Sequence, residues 1–190
     1  MTTPAPPPGT APPPGTGSLQ PRPPSASQIT LSRIMTLLDS NLHGNVHGGV
    51  IMKVCDDAAG VVAARHTGGR AVTAAMDEMV FLTPVHVGDL VTARARVNWA
   101  GKTSVEIGVR VTAEPWDQAG AESRHVATAY VVLVAIDEAG RPRPCPPVQP
   151  DTPTDRRRFA EAQIRRGHRL ARRDAILSSR AEPSRPGAPD

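Results

Sequence analysis

The chain has 190 residues, a formal net charge of +4, two cysteines, and aromatic residues at 3% of the total. This length holds one domain of ordinary size plus tails. Cys55, inside an apolar run, and Cys145, among prolines, give neither a disulfide framework nor a metal-ligand spacing, and so few aromatics offer no stacking platform for nucleic acid, so neither a metal nor a nucleic-acid partner is expected.

Residues 1–24 hold ten of the 21 prolines and lack the apolar residues to build a core. They read as a disordered or polyproline-like arm, taken to extend to residue 26. The arm lacks the pattern of a secretion signal, and no apolar run approaches the length of a membrane span, so a cytoplasmic protein is expected.

Residues 27–150 form the expected domain. Gln28 to Met35 alternates, with Ile29 and Leu31 on one side, and predicts a first strand. Asn41 to Gly60 is a polar, glycine-rich turn feeding an apolar helix, predicted from about Gly48 to Arg65. Val50, Ile51, Val54, Cys55, Ala58, Ala59, Val61 and Val62 wrap nearly all round it, so burial on most sides is expected. Gly68-Gly69 ends it. Gly48 and Gly49 let a ligand approach the backbone, and the first helical amides point at it unpaired, which makes a carbonyl or anion site. Asp56 and Asp57 stand within the apolar run, where a charge needs a partner or a task.

Four strand-length runs follow: Arg70 to Leu82, Asp89 to Trp99, Thr103 to Glu114 and Arg124 to Ile136. The turns between them are short, which predicts antiparallel neighbours and an α+β layout with a sheet wrapped round the helix. A basic helix is expected within residues 151–178, carrying nine arginines between residues 156 and 180, followed by a disordered tail over 179–190. Its partial apolar stripe is formed by Phe159, Ile164 and Leu170.

Three stretches carry a resemblance: Asn41 to Arg65, with its Gly44-Asn45-Val46-His47-Gly48-Gly49 turn and Asp56; Val80 to Asp89; and Gly101-Lys102-Thr103-Ser104-Val105-Glu106. Together they resemble the hot-dog acyl-CoA thioesterases, specifically the cytosolic (brain-type) acyl-CoA hydrolase family, over roughly residues 28–175. The resemblance implies an antiparallel sheet of five to six strands round a central helix, with a C-terminal helix. Mammalian members join two such domains, with the catalytic Asn in one and the catalytic Asp in the other. This chain carries both Asn41 and Asp56 in one domain, as the bacterial single-domain members do.

The implied function is hydrolysis of a fatty acyl-CoA to a carboxylic acid and coenzyme A, with no cofactor, coenzyme A being part of the substrate. Thioester hydrolysis needs an activated water or a nucleophile, and donors for the developing oxyanion. Asp56 can supply the first, as nucleophile or as base, and the amides of Gly48 or Gly49 the second. Asn41 would orient the water or the thioester oxygen, though alone it also reads as a turn former. His47 joins the candidate catalytic set, though a helix-start residue that orients the turn is its plainer reading. Asp56 lies two helical turns beyond the amides, and the family precedent is to pair two protomers so that Asp56 of one faces Asn41 of the other. A homodimer, assembled further as a trimer of dimers, is therefore expected. Arg65, Arg70, Lys102, Thr103, Ser104, Arg156 and Arg157 are the candidates for binding coenzyme A, Arg forks being suited to phosphates. For any single arginine a solvated helix face is the plainer reading. The alternatives are a hot-dog hydroxyacyl-thioester dehydratase, for which only His47 could serve as the histidine, and a non-catalytic acyl-CoA sensor.

Overall fold

The computed structural model describes residues 19–118 and 120–181. Five strands, β1 (Ile29–Ile34), β2 (Ala71–Phe81), β3 (Asp89–Ala100), β4 (Ser104–Pro115) and β5 (Arg124–Ala135), make one antiparallel sheet in the order β1-β3-β4-β5-β2. The long neighbours β3 and β4 are joined by the tight Gly101–Thr103 turn, where the Gly101 amide donates to the Ser104 carbonyl at 2.8 Å. Both expected features, the central helix and the antiparallel sheet, are present, with five strands. The expectation that every short connection joins neighbours is corrected for β2 and β3: β2 pairs with β5 at one edge, and β3 lies between β1 and β4.

Helix α1 (Gly48–Thr67) lies against one face of this sheet. Period-two alternation sorts the strands cleanly: Val91, Ala93, Ala95 and Val97 of β3 and Val105, Ile107, Val109 and Val111 of β4 are buried and belong to one core with Val54, Cys55, Ala58 and Val62 of α1. The helix ends two residues later than its apolar pattern indicated. It stops at Gly68, whose φ of 72° places it in the left-handed region open to glycine, and whose amide bonds the Ala64 carbonyl at 2.9 Å. The expectation of burial nearly all round is corrected. Met52 and Val61 are each 42% exposed, on a stripe shared with Lys53, Asp57 and Arg65. Five strands cover one side of a helix and leave the other open.

The outer face of the sheet carries polar residues and is crossed by α2 (Pro153–Ala181), which starts inside the expected span of 151–178 and runs three residues past its end. Thr152 and Asp155 bond each other's amides at 3.1 and 3.2 Å, and Pro153 opens the first turn. Arg165 reaches Glu106 of β4 at 2.6 Å, and Glu106 is 1% exposed. Arg169 pairs with Asp77 of β2, and Arg96 of β3 with Asp155. The guanidinium of Arg165 also lies 3.6 Å from the centre of the Tyr130 ring.

The expectation that residues up to 26 are a disordered arm is corrected for Arg22 to Ala26. The Arg22 amide donates to the Pro147 carbonyl at 2.9 Å, its side chain bonds the carbonyls of Arg65 and His66, and Pro24–Ala26 form one 3-10 turn in which Pro24 is buried. Residues 1–18 of the expected arm and 182–190 of the expected tail lie outside the described residues; Ser179 to Ala181 continue α2. No helix among the described residues is long and apolar enough to cross a membrane.

Candidate functional site

The turn before α1 is built on a buried carboxylate. Asp39 accepts the Thr36 amide at 2.8 Å, the Thr36 hydroxyl at 2.9 Å and Arg33 at 2.6 Å. The Thr36 amide, then its hydroxyl and Arg33, outweigh burial and hold the Asp39 carboxyl below the usual range. The Asp39 carbonyl in turn accepts the His47 amide at 2.8 Å, closing the loop that presents Asn41.

Asn41 is half-buried. Its Oδ1 accepts the amides of His43 at 2.8 Å and Asn45 at 3.3 Å, so the side chain does close the turn. Among the described residues its Nδ2 meets no acceptor, and that donor is left for a ligand. His47 is the N-cap of α1: its Nδ1 accepts the Gly49 amide at 3.0 Å. This separates the two glycines. The Gly49 amide is occupied by the His47 ring, whereas the Gly48 amide has no acceptor among the described residues and is the one open to an oxyanion. Beside Gly48 lies an apolar pocket of about 280 Å³, lined by Val46, Ile51, Phe81, Leu82 and Val85 among others. A Cβ on Gly48 would stand 3.6 Å from the Phe81 ring, an ordinary contact, so Phe81 is a direct neighbour of the helix start.

Asp56 is half-exposed on α1, eight residues past Gly48 and about 12 Å along the axis. Its partner is Thr73 of β2, whose Oγ1 donates to Asp56 Oδ1 at 2.6 Å. Asp57 makes an i,i+4 pair with Lys53 at 2.7 Å and faces solvent. Thr73 was not singled out by sequence; the available signal was that it is the one hydroxyl residue in β2. The apolar pocket was missed because its walls come from loop and strand ends distant in sequence.

The candidate coenzyme A residues fall elsewhere. Lys102, Thr103 and Ser104 form the β3–β4 turn, beside the far end of α1: the Lys102 carbonyl accepts the Cys145 amide at 3.1 Å, while the adjacent Pro146 carbonyl meets His66 at 3.1 Å. Arg65 and Arg70 flank that same helix end and are exposed. Arg156 donates to the Asp151 carbonyl at 3.2 Å, and Arg157 pairs with Glu161 at 2.5 Å, both on α2 across the sheet from α1. Within one chain none of these meets Asn41 and Gly48. Among the described residues there is no group of three or more side chains that could hold a metal ion.

A family profile described as the thioesterase superfamily matches residues 43–118. The cytosolic acyl coenzyme A thioester hydrolase of Mus musculus is 36% identical over 146 residues, which are 77% of this chain and 38% of that protein. The chain thus spans well under half of that relative. An acyl-CoA thioester hydrolase of Bacillus subtilis is 38% identical over 124 residues, 65% of this chain and 70% of that one. Among solved structures, the acyl-CoA hydrolase of Staphylococcus aureus in complex with butyryl coenzyme A and coenzyme A superposes with a TM-score of 0.76 at 30% identity, covering 83% of this chain and 95% of that chain. A hexameric acyl-CoA thioesterase in its apo form superposes with a TM-score of 0.77 at 30% identity, covering 81% and 97%. Variant structures of the S. aureus enzyme replace an asparagine, an aspartate and a threonine by alanine. The sequence intervals between those three residues equal the intervals between Asn41, Asp56 and Thr73.

Proposed function

We propose that this chain, which belongs to the acyl-CoA thioester hydrolase family of the thioesterase superfamily, hydrolyses acyl-CoA to a carboxylic acid and free coenzyme A, in the cytoplasm and with no cofactor. One observation carries the reading: Asp56 is held by Thr73 at 2.6 Å in the same spacing from an asparagine, Asn41, that three variants probe in the S. aureus hydrolase.

With Oδ1 of Asp56 taken by the Thr73 hydroxyl, Oδ2 is the oxygen that removes a proton from water. The water oxygen adds to the thioester carbon, the Gly48 amide and the Asn41 Nδ2 receive the charge on the carbonyl oxygen, and collapse breaks the C–S bond, the proton leaving with the thiolate of coenzyme A. The acyl chain enters the apolar pocket beside Gly48.

The site is shared between two chains. Strand β2 is a free sheet edge with Val72, Val80 and Phe81 exposed, and Leu37, Leu38 and Leu42 stand out on either side of Asn41. Antiparallel pairing of two β2 edges about a two-fold axis near Asp77 sets Thr73 of one chain opposite Phe81 of the other. Phe81 packs on Gly48, so Asp56 of one chain arrives at the helix start of its partner. Further assembly of three such dimers into a hexamer, the size of the apo-hexameric neighbour, gives the turn at Lys102, Thr103 and Ser104 a route to substrate phosphates on another chain. The test is release of free thiol from a panel of acyl-CoA substrates. Turnover supports the reading, and binding without turnover across the panel replaces it with a sensor.

A further inference from the structure

On the outer face of the sheet, away from α1, lies a polar cleft of about 400 Å³. Its floor is one cross-strand row in register: Thr30 of β1, Arg94 of β3, Arg110 of β4 and Thr128 of β5. Arg94 and Arg110 stand directly opposite each other on antiparallel neighbours, an arrangement in which like charges repel. The first turns of α2 bring Arg157 and Arg158 to the same cleft, and Arg96 stands in the next row.

The nearby carboxylates do not neutralise this cluster. Asp155 is taken by Arg96 and Glu161 by Arg157. Among the described residues no carboxylate lies within salt-bridge distance of Arg94, Arg110 or Arg158, and the buried Nε of Arg96 has no acceptor. Burial, then the neighbouring Arg96 and Arg157, holds the Arg158 guanidinium below its ordinary range. Gly108, opposite Arg96, keeps the floor open: a Cβ there would stand 2.6 Å from the Asn98 amide nitrogen.

We propose that this cleft binds a small anion bearing two phosphoryl groups, at a site distinct from the thioester centre on the other face of the sheet. Paired guanidinium forks with flanking threonine hydroxyls are the donor set that phosphoryl oxygens take, and the volume suits a small molecule. The Tyr130 ring already carries the Arg165 guanidinium over one face, and the phosphoryl groups themselves are what is recognised.

Calorimetric titration of the full chain with inorganic pyrophosphate at 0.15 M salt tests this, with ADP and inorganic phosphate as the other arms. The expected result is saturable binding of one pyrophosphate per chain, phosphate at least tenfold weaker and ADP comparable to pyrophosphate. ADP binding tenfold tighter than pyrophosphate overturns recognition by phosphoryl groups alone. Arg94→Gln and Arg110→Gln each weaken pyrophosphate binding at least tenfold. Without ligand these variants unfold at the same temperature as wild type or higher, since a like-charge pair is relieved. Pyrophosphate raises the unfolding temperature of wild type and leaves theirs unmoved. No binding, as when an acidic segment of another chain fills the cleft, overturns the proposal, and so does undiminished binding in both variants. An acyl-CoA KM that rises in step with lost pyrophosphate binding also overturns it, because the cleft would then hold the substrate's own phosphates. The titration reads the site whether or not the chain turns over acyl-CoA.

Discussion

The hydroxyl of Thr73 donates a 2.6 Å hydrogen bond to Oδ1 of Asp56, tying the edge strand β2 to the open side of α1. A half-exposed aspartate on a helix has many rotamers and few reasons to stay in one. The bond selects one and aims the second oxygen. Asp56→Asn is expected to lower kcat by at least about 100-fold with folding intact, because it removes the proton acceptor. Thr73→Val keeps shape and loses the donor, so kcat is expected to fall roughly tenfold or more, with KM little changed, as when an interaction serves mainly the transition state. Steady-state kinetics on both variants checks this pair of effects.

Helix α2 is fastened to the sheet by charges that are out of water. Removing one partner of such a pair leaves the other unpaired. Glu106→Gln is therefore expected to destabilise the fold by on the order of 3–5 kcal/mol, measured by urea unfolding. Because Arg165 and Arg169 are engaged with Glu106 and Asp77, neutralising them is expected to lower stability before it alters KM for acyl-CoA. Neutralising Arg157, which pairs only with the part-exposed Glu161, has little effect on stability.

His66 is wholly buried at the end of α1, with Nε2 3.1 Å from the Pro146 carbonyl and Nδ1 without a partner among the described residues. Burial, and the nearby Arg22, push its pKa below the ordinary 6.5 against the opposing Pro146 contact. In the window between the folded value and 6.5 the unfolded chain binds the extra proton, so stability rises with pH there: it is full above 6.5 and is lost as pH falls through that window. Unfolding midpoints of wild type measured from pH 7.5 down to pH 5 are expected to drop more steeply than those of His66→Leu. Parallel curves would remove His66 as the source.

The sequence made the core legible because one period served each element. Val91 to Val97 alternate in β3, and Ile51 to Val62 recur at helical spacing in α1, so element types could be read directly. The short turns gave the β3–β4 and β4–β5 neighbours, but not that β2, also close to β3 in sequence, pairs with β5 at the far edge. The open face of α1 was not legible: Val61 and Met52 are apolar and look buried, and only the sheet's width shows that nothing among the described residues covers them. Gly48 stood out as a glycine at a helix start and Asp56 as a carboxylate in an apolar run, whereas Asn41 stood out only through the family resemblance. Thr73 did not, because an isolated threonine in a strand is ordinary until a carboxylate is found beside it. The arginines of α2 were misleading for a related reason. Their number is visible in the sequence, but Glu106 and Asp77, which engage Arg165 and Arg169, lie on strands far away in the chain.

The central claim, one thioester site built from Asn41 of one chain and Asp56 of its partner, is tested most directly by mixing two inactive proteins. Asn41→Ala and Asp56→Ala chains are each expected to be inactive as pure assemblies. After subunit exchange, random pairing makes half the dimers mixed, and each mixed dimer holds one intact site of two, so activity is expected to recover to about a quarter of wild type. Activity that stays at the level of the pure variants, with exchange demonstrated independently, would place both residues in the same chain's site and contradict the account.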